Sequence, residues 1–298
     1  MSNQNQFDHM PLNVDELFRE STDVRKVRPY PKWRRLLQRY TVALLMIVGL
    51  YSRLVDAGFV RAWFSEFQEY WLEIHNGRPL YLSDFFFLLG TYRQRFQSVE
   101  TPTNATSQEF LRSWQGPESW YQLFGAVRRF SHEPLHCYHF EKWINKGDRV
   151  LEYGCGLAPV AHSLSRYGRV ADLAIDIADI KQINSHFAKW RLGSGVKFIE
   201  IELYQNPISG KTYDVILLIT VMEHLPNPLE TVGYLLDCLE PGGVLIFDYI
   251  SSDGDGLDTM ESIESREAVL NLIEKRTTIV HGSIEYTQSM GLTVVRRN

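Results

Sequence analysis

A carboxylate and two glycines stand close together near the middle of the chain, in the segment Glu152-Tyr153-Gly154-Cys155-Gly156. Glycine lets the backbone turn without a Cβ in the way, so a ligand can lie directly against the main chain. Glu152 would repel a pyrophosphate, but it could accept hydrogen bonds from the cationic amino group of an amino acid. The turn therefore favours an amino-acid-bearing ligand without phosphates, although a plain strand-to-helix turn would also explain the glycines.

Carboxylates that follow the glycine turn are placed to hold the rest of such a ligand. Asp176, 20 residues after the second glycine, is expected to end the second strand and to hold both ribose hydroxyls of an adenosine. Asp176 or Asp179 could instead cap the following helix. Glu202 and Leu203 could meet an adenine amine and its ring. Pro159 stands where a dinucleotide fingerprint would carry its third glycine, which disfavours a nicotinamide dehydrogenase.

A second group of polar and aromatic side chains precedes the glycine turn. Its members are Tyr121, His132, His136, Tyr138 and His139. On a single helix the three histidines would share one face, which could bind a metal or shape a substrate lid. Pro134 would interrupt that helix, so a lid or entry loop is favoured over a metal site. Histidines that simply pack between domains are the alternative.

The elements that must position these residues alternate along the second half of the chain. Short β-branched runs and helical stretches follow each other, which predicts a parallel sheet covered on both faces. The expected strands are 149–153, 173–176, 196–200, 213–219 and 244–248, with a final pair at 278–280 and 292–295. The expected helices are 159–167, 180–192, 229–239 and 262–276. The predicted fold is α/β and Rossmann-like, with ligands beyond the carboxyl ends of the strands.

The first half of the chain has a different composition. Residues 1–30 are expected to form a flexible arm, 31–141 an all-α substrate or lid domain, and 142–298 the α/β domain. Of the 38 aromatic residues, 26 lie before residue 142, which suggests that the helical domain offers an apolar or aromatic pocket. The sequence therefore predicts that the acceptor pocket comes from the helical half.

Charge and cysteine content limit the partners and the compartment. The net charge of −5 and the pI near 6.0 disfavour nucleic-acid binding. Cys137, Cys155 and Cys238 are too few and too scattered for a disulfide framework or a zinc knuckle, which favours a reducing cytoplasm. The first residues also lack the order of a secretory signal.

One basic segment followed by an apolar run could contact a membrane. Residues 25–39 carry seven basic residues and no acid, and the apolar run 41–50 follows. A spanning helix needs about 20 apolar residues, so this run cannot cross a bilayer. A buried helix is the plainest interpretation. The alternatives are peripheral membrane contact with anionic lipid or contact between subunits, through residues 25–60.

Four motifs occur in an order that is similar to a known family. Residues 150–156, Asp176, 213–228 and 239–248 together resemble the class I S-adenosylmethionine-dependent methyltransferases. The resemblance covers about residues 140–298. It implies a seven-stranded sheet with an antiparallel last strand, and S-adenosylmethionine as the cofactor, bound across the carboxyl edge of that sheet.

The resemblance also implies roles for single residues. Glu152 would face the methionine ammonium and Asp176 the ribose, while Ile219 and Thr220 would line the methionine end. Ala158 departs from the usual third glycine of the family. The cofactor-binding residues implied by the resemblance are Glu152, Gly154, Cys155, Gly156, Asp176, Ile177, Glu202, Leu203, Ile219 and Thr220. Cys155 is interpreted as a packing residue and not as a nucleophile.

The chemistry expected at this edge is methyl transfer to a small acceptor, with oxygen as the first choice of atom and nitrogen or carbon as alternatives. His224 is the best-placed general base, because an imidazole titrates near neutral pH. A bound metal is not expected, since Thr220 stands where metal-using relatives carry a carboxylate. The alternative function is a catalytically inactive scaffold of the same fold that binds a protein partner or a membrane surface.

Overall fold

The chain divides into two units, and the sheet lies in the second. The computed structural model describes residues 14, 15, 33, 37, 40, 44, 47–50, 62–75, 78–98, 107–115, 119–130, 136–202, 205, 208, 210–250 and 258–298. Unit 1 comprises residues 1–100 and 117–135, and unit 2 comprises residues 101–116 and 136–298. The segment 101–116 therefore joins the sheet-bearing unit, although it falls inside the range that the sequence assigns to the helical domain.

Aromatic side chains at helical spacing build the core of unit 1. The helices described before the sheet are α1 (Ala62–His75), α2 (Leu82–Ser98), α3 (Ser107–Trp114) and α4 (Trp120–Phe130), of which α3 belongs to unit 2. Phe85 of α2 lies edge-on to Phe67 of α1 and to Phe124 of α4, with ring centroids 5.2 and 5.0 Å apart. All three rings are fully buried, so their area and their edge-to-face geometry both stabilise this packing. No helix in the described part of the chain is long and apolar enough to cross a membrane.

Unit 2 contains a seven-stranded sheet with helices between its strands. Its elements are β1 (Arg149–Tyr153), α5 (Pro159–Tyr167), β2 (Ala174–Asp179), α6 (Ile183–Leu192), β3 (Lys197–Glu200), β4 (Tyr213–Leu218), α7 (Pro228–Asp237), β5 (Leu239–Tyr249), α8 (Met260–Arg276), β6 (Thr277–His281) and β7 (Met290–Arg297). The strand order is β3-β2-β1-β4-β5-β7-β6, and β7 runs antiparallel to both β5 and β6. This confirms the α/β, Rossmann-like fold with an antiparallel last strand.

Alternating side chains bury both faces of the sheet. On one face, Leu151 of β1 and Ile216 of β4 pack in a cluster with Leu235 of α7. On the other face, Val150 and Val215 belong to a cluster that α5 completes. Because β1 lies between β2 and β4, the crossovers diverge at its carboxyl end, which is where ligands bind in this class of sheet.

Several expected boundaries differ from the structure, among them the start of β5, which lies at Leu239 and not at residue 244. The second strand, expected over 173–176, continues to Asp179. Helix α4 ends at Phe130, and the 3₁₀ segments His136–His139 and Glu141–Trp143 follow residues 131–135, which lie outside the described residues. Pro134 is one of these residues, so its expected effect on a continuous helix stays a prediction.

Candidate functional site

The turn between β1 and α5 is held open by glycines. Gly154 and Gly156 have φ of 64° and 52°, in the left-handed region that glycine enters without a steric penalty. A Cβ on Gly154 would lie 2.6 Å from both methyl groups of Val221, so this glycine is required by packing. A Cβ on Gly156 would meet nothing within 4 Å. The space next to Gly156 is therefore open to a ligand.

Glu152 is a buried carboxylate that joins β1 to the first turn of α5. Its Oε2 accepts a hydrogen bond from the N–H of Ala161 at 2.7 Å, and its Oε1 accepts one from Val160 at 3.3 Å. These donors belong to the end of the helix where partial positive charge favours an anion. Burial nevertheless raises the pKa of Glu152 to about 7. A cation placed beside the carboxylate would favour its ionised form, as the predicted ammonium contact requires.

Asp179 closes the glycine turn from the neighbouring strand. Its carboxylate accepts hydrogen bonds from the N–H of Gly156 at 2.5 Å, from the N–H of Ile180 at 2.7 Å and from Nε2 of Gln182 at 2.9 Å. Burial raises the pKa of Asp179 to about 6. The carboxylate at the end of β2, directly against the glycine turn, is therefore Asp179.

The prediction that Asp176 ends the second strand is wrong. Asp176 lies within β2, and its Oδ2 accepts hydrogen bonds from the hydroxyl of Tyr213 at 2.8 Å and from Nζ of Lys211 at 3.1 Å. Successive strand residues point to opposite faces, so Asp176 and Asp179 cannot share a face. Asp176 therefore does not reach the glycine turn on which Asp179 is bonded.

Ile177, which the resemblance places beside an adenine, is a core residue of β2, and its adenine role stays a prediction. Ile177 is 1% exposed and packs in a cluster with Cys155, Ala161 and Ala188, beneath α5 and α6. The pair Asp-Ile occurs twice in this strand and its continuation, at 176–177 and at 179–180. Only the pairing of the strands decides which pair stands at the edge.

Cys155 has the packing role that the sequence predicts. Its side chain is buried, and its backbone N–H donates to the carbonyl of Ala178 at 3.1 Å. Burial raises the pKa of its thiol well above the usual range, so a reactive thiolate is disfavoured.

Glu202 is exposed and accepts a hydrogen bond from Nε2 of Gln205 at 2.6 Å. Leu203 lies outside the described residues, and the adenine roles of Glu202 and Leu203 stay predictions.

The loop after β4 is fixed by a carboxylate of β5. Ile219 and Thr220 are half-buried, and Thr220 has a φ of 56°, in the left-handed region. The N–H of Thr220 donates to Oδ1 of the buried Asp248 at 2.6 Å. Sequence reasoning did not single out Asp248, although an acid near the carboxyl end of a predicted strand is a signal that could have identified it.

Glu223 and His224 lie in a 3₁₀ turn directly after this loop. Nε2 of His224 lies 3.8 Å from Oε1 of Glu223, whose pKa is raised to about 8 by burial, with Asp248 and Asp258 adding to the effect. The ring of Trp114, on α3, stands edge-on to that of His224, with centroids 5.4 Å apart and an interplanar angle of 72°. Nothing in the sequence pattern singled out Trp114, because the contact joins residues 110 positions apart.

The expected lid residues do not form one helix face. Tyr121 lies in α4 of unit 1, while His136, Tyr138 and His139 lie in a 3₁₀ segment of unit 2. His132 lies outside the described residues. The backbone N–H of the buried Cys137 donates to the hydroxyl of Ser163 at 2.9 Å, which packs this 3₁₀ segment against α5. Within the described residues, no group of three metal-ligating side chains is arranged to hold an ion.

Comparisons with known proteins match the part of the chain that contains this site. A family model described as a methyltransferase domain matches residues 119–279, which is more than half of the chain. The curated ubiquinone biosynthesis O-methyltransferase of Coxiella burnetii (strain Dugway 5J108-111) is 23% identical over 209 residues, covering 67% of this chain and 85% of that protein.

Two solved structures align with part of the chain. A SAM dependent methyltransferase from Aquifex aeolicus aligns with a TM-score of 0.42 and 15% identity, over 65% of this chain and 98% of the other. The N-methyltransferase NodS from Bradyrhizobium japonicum WM9 aligns with a TM-score of 0.39 and 16% identity, over 51% of this chain and 87% of the other.

Proposed function

The chain belongs to the S-adenosylmethionine-dependent methyltransferase family, and on this premise we propose that it methylates an oxygen atom of a small apolar or aromatic acceptor. The observation that carries the proposal is the pairing of His224 with Trp114 at the end of β4. A potential proton acceptor there stands against an aromatic wall, beside the strand end where this class of fold binds its ligands.

The residues at the carboxyl edge fit the cofactor. Gly156 leaves open space against the main chain, and Glu152 and Asp179 provide buried carboxylates on either side of the turn. Glu152 would hold the ammonium of the methionine part, and Asp179 would accept from the ribose hydroxyls. When bound, S-adenosylmethionine supplies an electrophilic methyl group at its sulfonium.

The residues after β4 would serve the acceptor. His224 would take the hydroxyl proton as the acceptor oxygen attacks the methyl carbon, and Trp114 would hold the imidazole and contact an apolar ring. The side chain of His224 is 21% exposed, so a proton could reach it from a bound acceptor. Holding the oxygen in line with the methyl group would supply much of the catalysis.

The name of the curated relative supports oxygen as the acceptor atom. That protein is named as an O-methyltransferase of ubiquinone biosynthesis, and only the transfer of a methyl group to oxygen is proposed to be shared by the present chain.

We also propose that the protein works in a reducing compartment such as the cytoplasm. This proposal is supported by Cys137, Cys155 and Cys238, all of which are free thiols and buried.

The proposal is tested by incubating the purified protein with methyl-labelled S-adenosylmethionine and a panel of phenols, catechols and amines. We expect label in a phenolic or catecholic product, and the demethylated cofactor in equal amount. The variant His224→Ala should lower kcat by about 10²- to 10⁴-fold, the usual contribution of a general base, and leave cofactor affinity unchanged.

His281→Ala is the matched control, because this exposed histidine lies on β6 at the far edge of the sheet. The kcat of this variant should equal that of the wild type. Equal kcat in His224→Ala and the wild type would remove His224 as the base. Cofactor binding without turnover on any acceptor would favour the inactive scaffold, and label in amines alone would move the acceptor atom to nitrogen.

A further inference from the structure

The backbone at Thr220, directly after β4, has a conformation that its side chain disfavours. Its φ is 56°, and in the described part of the chain it is the only non-glycine residue with a branched Cβ and a left-handed φ. A branched Cβ crowds the backbone in this region, so such a residue adopts it only where the surrounding structure imposes it. Strain of this kind is concentrated at functional sites. The contacts that hold Thr220 therefore indicate what the loop does.

The contact that holds Thr220 comes from the neighbouring strand. The pairing of β4 with β5 ends at Leu218 and Phe247, and the next residue of β5 is Asp248. Oδ1 of Asp248 accepts the N–H of Thr220 at 2.6 Å, and Asp248 is 8% exposed. A hydrogen bond to a carboxylate is stronger than one between neutral groups, and burial strengthens it further. Asp248 therefore offsets the strain at Thr220.

The bend at Thr220 lies against the glycine turn. Val221, the next residue, is 7% exposed, and both of its methyl groups lie 2.6 Å from the place of a Cβ on Gly154. The two loops follow β1 and β4, which are adjacent and parallel, so both lie at the same edge of the sheet. A change of φ at Thr220 would redirect the chain that follows and move Val221 away from Gly154. The bend therefore controls the space in which a ligand of the glycine turn would lie.

We infer that Asp248 is a positioning residue for the amino-acid part of S-adenosylmethionine, and that it acts by holding Thr220 in the left-handed conformation. The inference rests on the proposed function, in which Glu152 of β1 meets the methionine ammonium. The nucleoside part is proposed to lie at Asp179 of β2, whereas β4 and β5 lie on the other side of β1. Releasing Thr220 should therefore weaken contacts with the amino-acid part and spare those with the nucleoside.

The test compares two ligands by titration calorimetry of the full-length protein. S-adenosylhomocysteine, the demethylated cofactor, carries the amino-acid part, whereas methylthioadenosine lacks it. For Asp248→Ala we expect S-adenosylhomocysteine to bind about tenfold or more weakly than to the wild type, and methylthioadenosine to bind within about twofold of the wild type. Asp248→Asn keeps an oxygen that can accept the N–H of Thr220, so it should recover most of the affinity.

A second substitution, Thr220→Gly, separates positioning from a general loss of stability. Glycine adopts a left-handed φ without a contact that imposes it. The factor by which Asp248→Ala weakens binding of S-adenosylhomocysteine should therefore fall from about ten to about three or less when Thr220→Gly is also present. A merely structural role of Asp248 would give the same factor in both backgrounds.

Asp214→Ala is the matched control. Asp214 lies near the start of β4, at the opposite edge of the sheet, and its Oδ2 accepts the N–H of Arg149 of β1 at 2.7 Å. This variant therefore also removes a carboxylate that binds the backbone of a neighbouring strand, and its affinity for both ligands should equal that of the wild type. Circular dichroism confirms that each variant is folded. Asp248→Leu, which has a similar shape and no acceptor, replaces Asp248→Ala if the alanine variant does not fold.

Equal weakening of both ligands by Asp248→Ala would overturn the inference, and so would undiminished binding of S-adenosylhomocysteine. The same tenfold factor in the Thr220→Gly background would overturn it as well. A wild-type protein that binds neither ligand would reject the cofactor assignment, and the inference with it. The affinities are measured without an acceptor, so a failure of the proposed O-methylation is detected separately, in the turnover assay.

Discussion

Replacing Glu152 by glutamine is expected to stabilise the fold at alkaline pH and to weaken the binding of S-adenosylmethionine. The carboxylate is buried between β1 and α5, and its pKa is raised from 4.5 to about 7 by that burial. As the pH increases, the unfolded chain therefore loses this proton before the folded chain does. The resulting contribution to stability is fully present below pH 4.5 and is lost as the pH rises through about 7.

The size of the effect follows from the difference between the two pKa values. A gap of about 2.5 pH units corresponds to about 3 kcal/mol, which is lost almost completely by about pH 8. Glutamine carries no charge, so the variant avoids this loss. Its side-chain carbonyl can still accept from the N–H of Ala161, but the contact with Val160 is given up, at about 1 kcal/mol. We expect the variant to equal the wild type near pH 5 and to exceed it by about 2 kcal/mol near pH 8.

The assay is urea unfolding followed by circular dichroism at both pH values. Glu267→Gln makes the same chemical change at an exposed position of α8 and should follow the wild type at both. Titration calorimetry should show weaker binding of S-adenosylmethionine by the Glu152 variant, because the partner of the ammonium is lost. Identical pH dependence of stability in Glu152→Gln and the wild type would refute the buried ionisation on which the reasoning depends.

Further predictions concern the glycine turn and its carboxylates. Asp179→Asn should weaken binding of S-adenosylmethionine in calorimetry by about tenfold or more, while Asp176→Asn should leave the affinity within about twofold of the wild type. A larger loss of affinity in Asp176→Asn than in Asp179→Asn would exclude Asp179 as the ribose carboxylate. Gly154→Ala should destabilise the fold by about 2–4 kcal/mol in thermal unfolding, because its Cβ meets the methyl groups of Val221 at positive φ. Gly156→Ala should cost only about 1–2 kcal/mol for its positive φ but should weaken cofactor binding, and unchanged affinity would show that the open space beside Gly156 is not used.

The local signals in the sequence predicted the framework of unit 2 well. A β-branched run that enters a glycine turn, followed by a proline at the first turn of a helix, gave β1 and α5 with their observed bounds. The side-chain alternation that buries one face of a strand is a property of neighbouring residues, so it can be read from the sequence. His224 at the end of β4 followed from the same reasoning, since strand ends are set locally.

The residues of the site depended on pairing across the sheet. Asp176 and Asp179 lie in one short run, and no local pattern indicated that the strand continues for three further residues. The parallel register with β1 and β3 decided this, and it placed Asp179 at the edge and Asp176 against Tyr213. Register is a non-local property, because it is fixed by the strands on either side.

The sequence alone therefore predicted the α/β sheet, the glycine turn and the class of cofactor that four ordered motifs imply. The tertiary structure alone decided which carboxylate meets the turn, and it brought α3 and Trp114 to His224. The physical reason is that periodicity and turn chemistry act between near neighbours, whereas contacts such as Trp114 with His224 join distant residues that only the folded chain brings together.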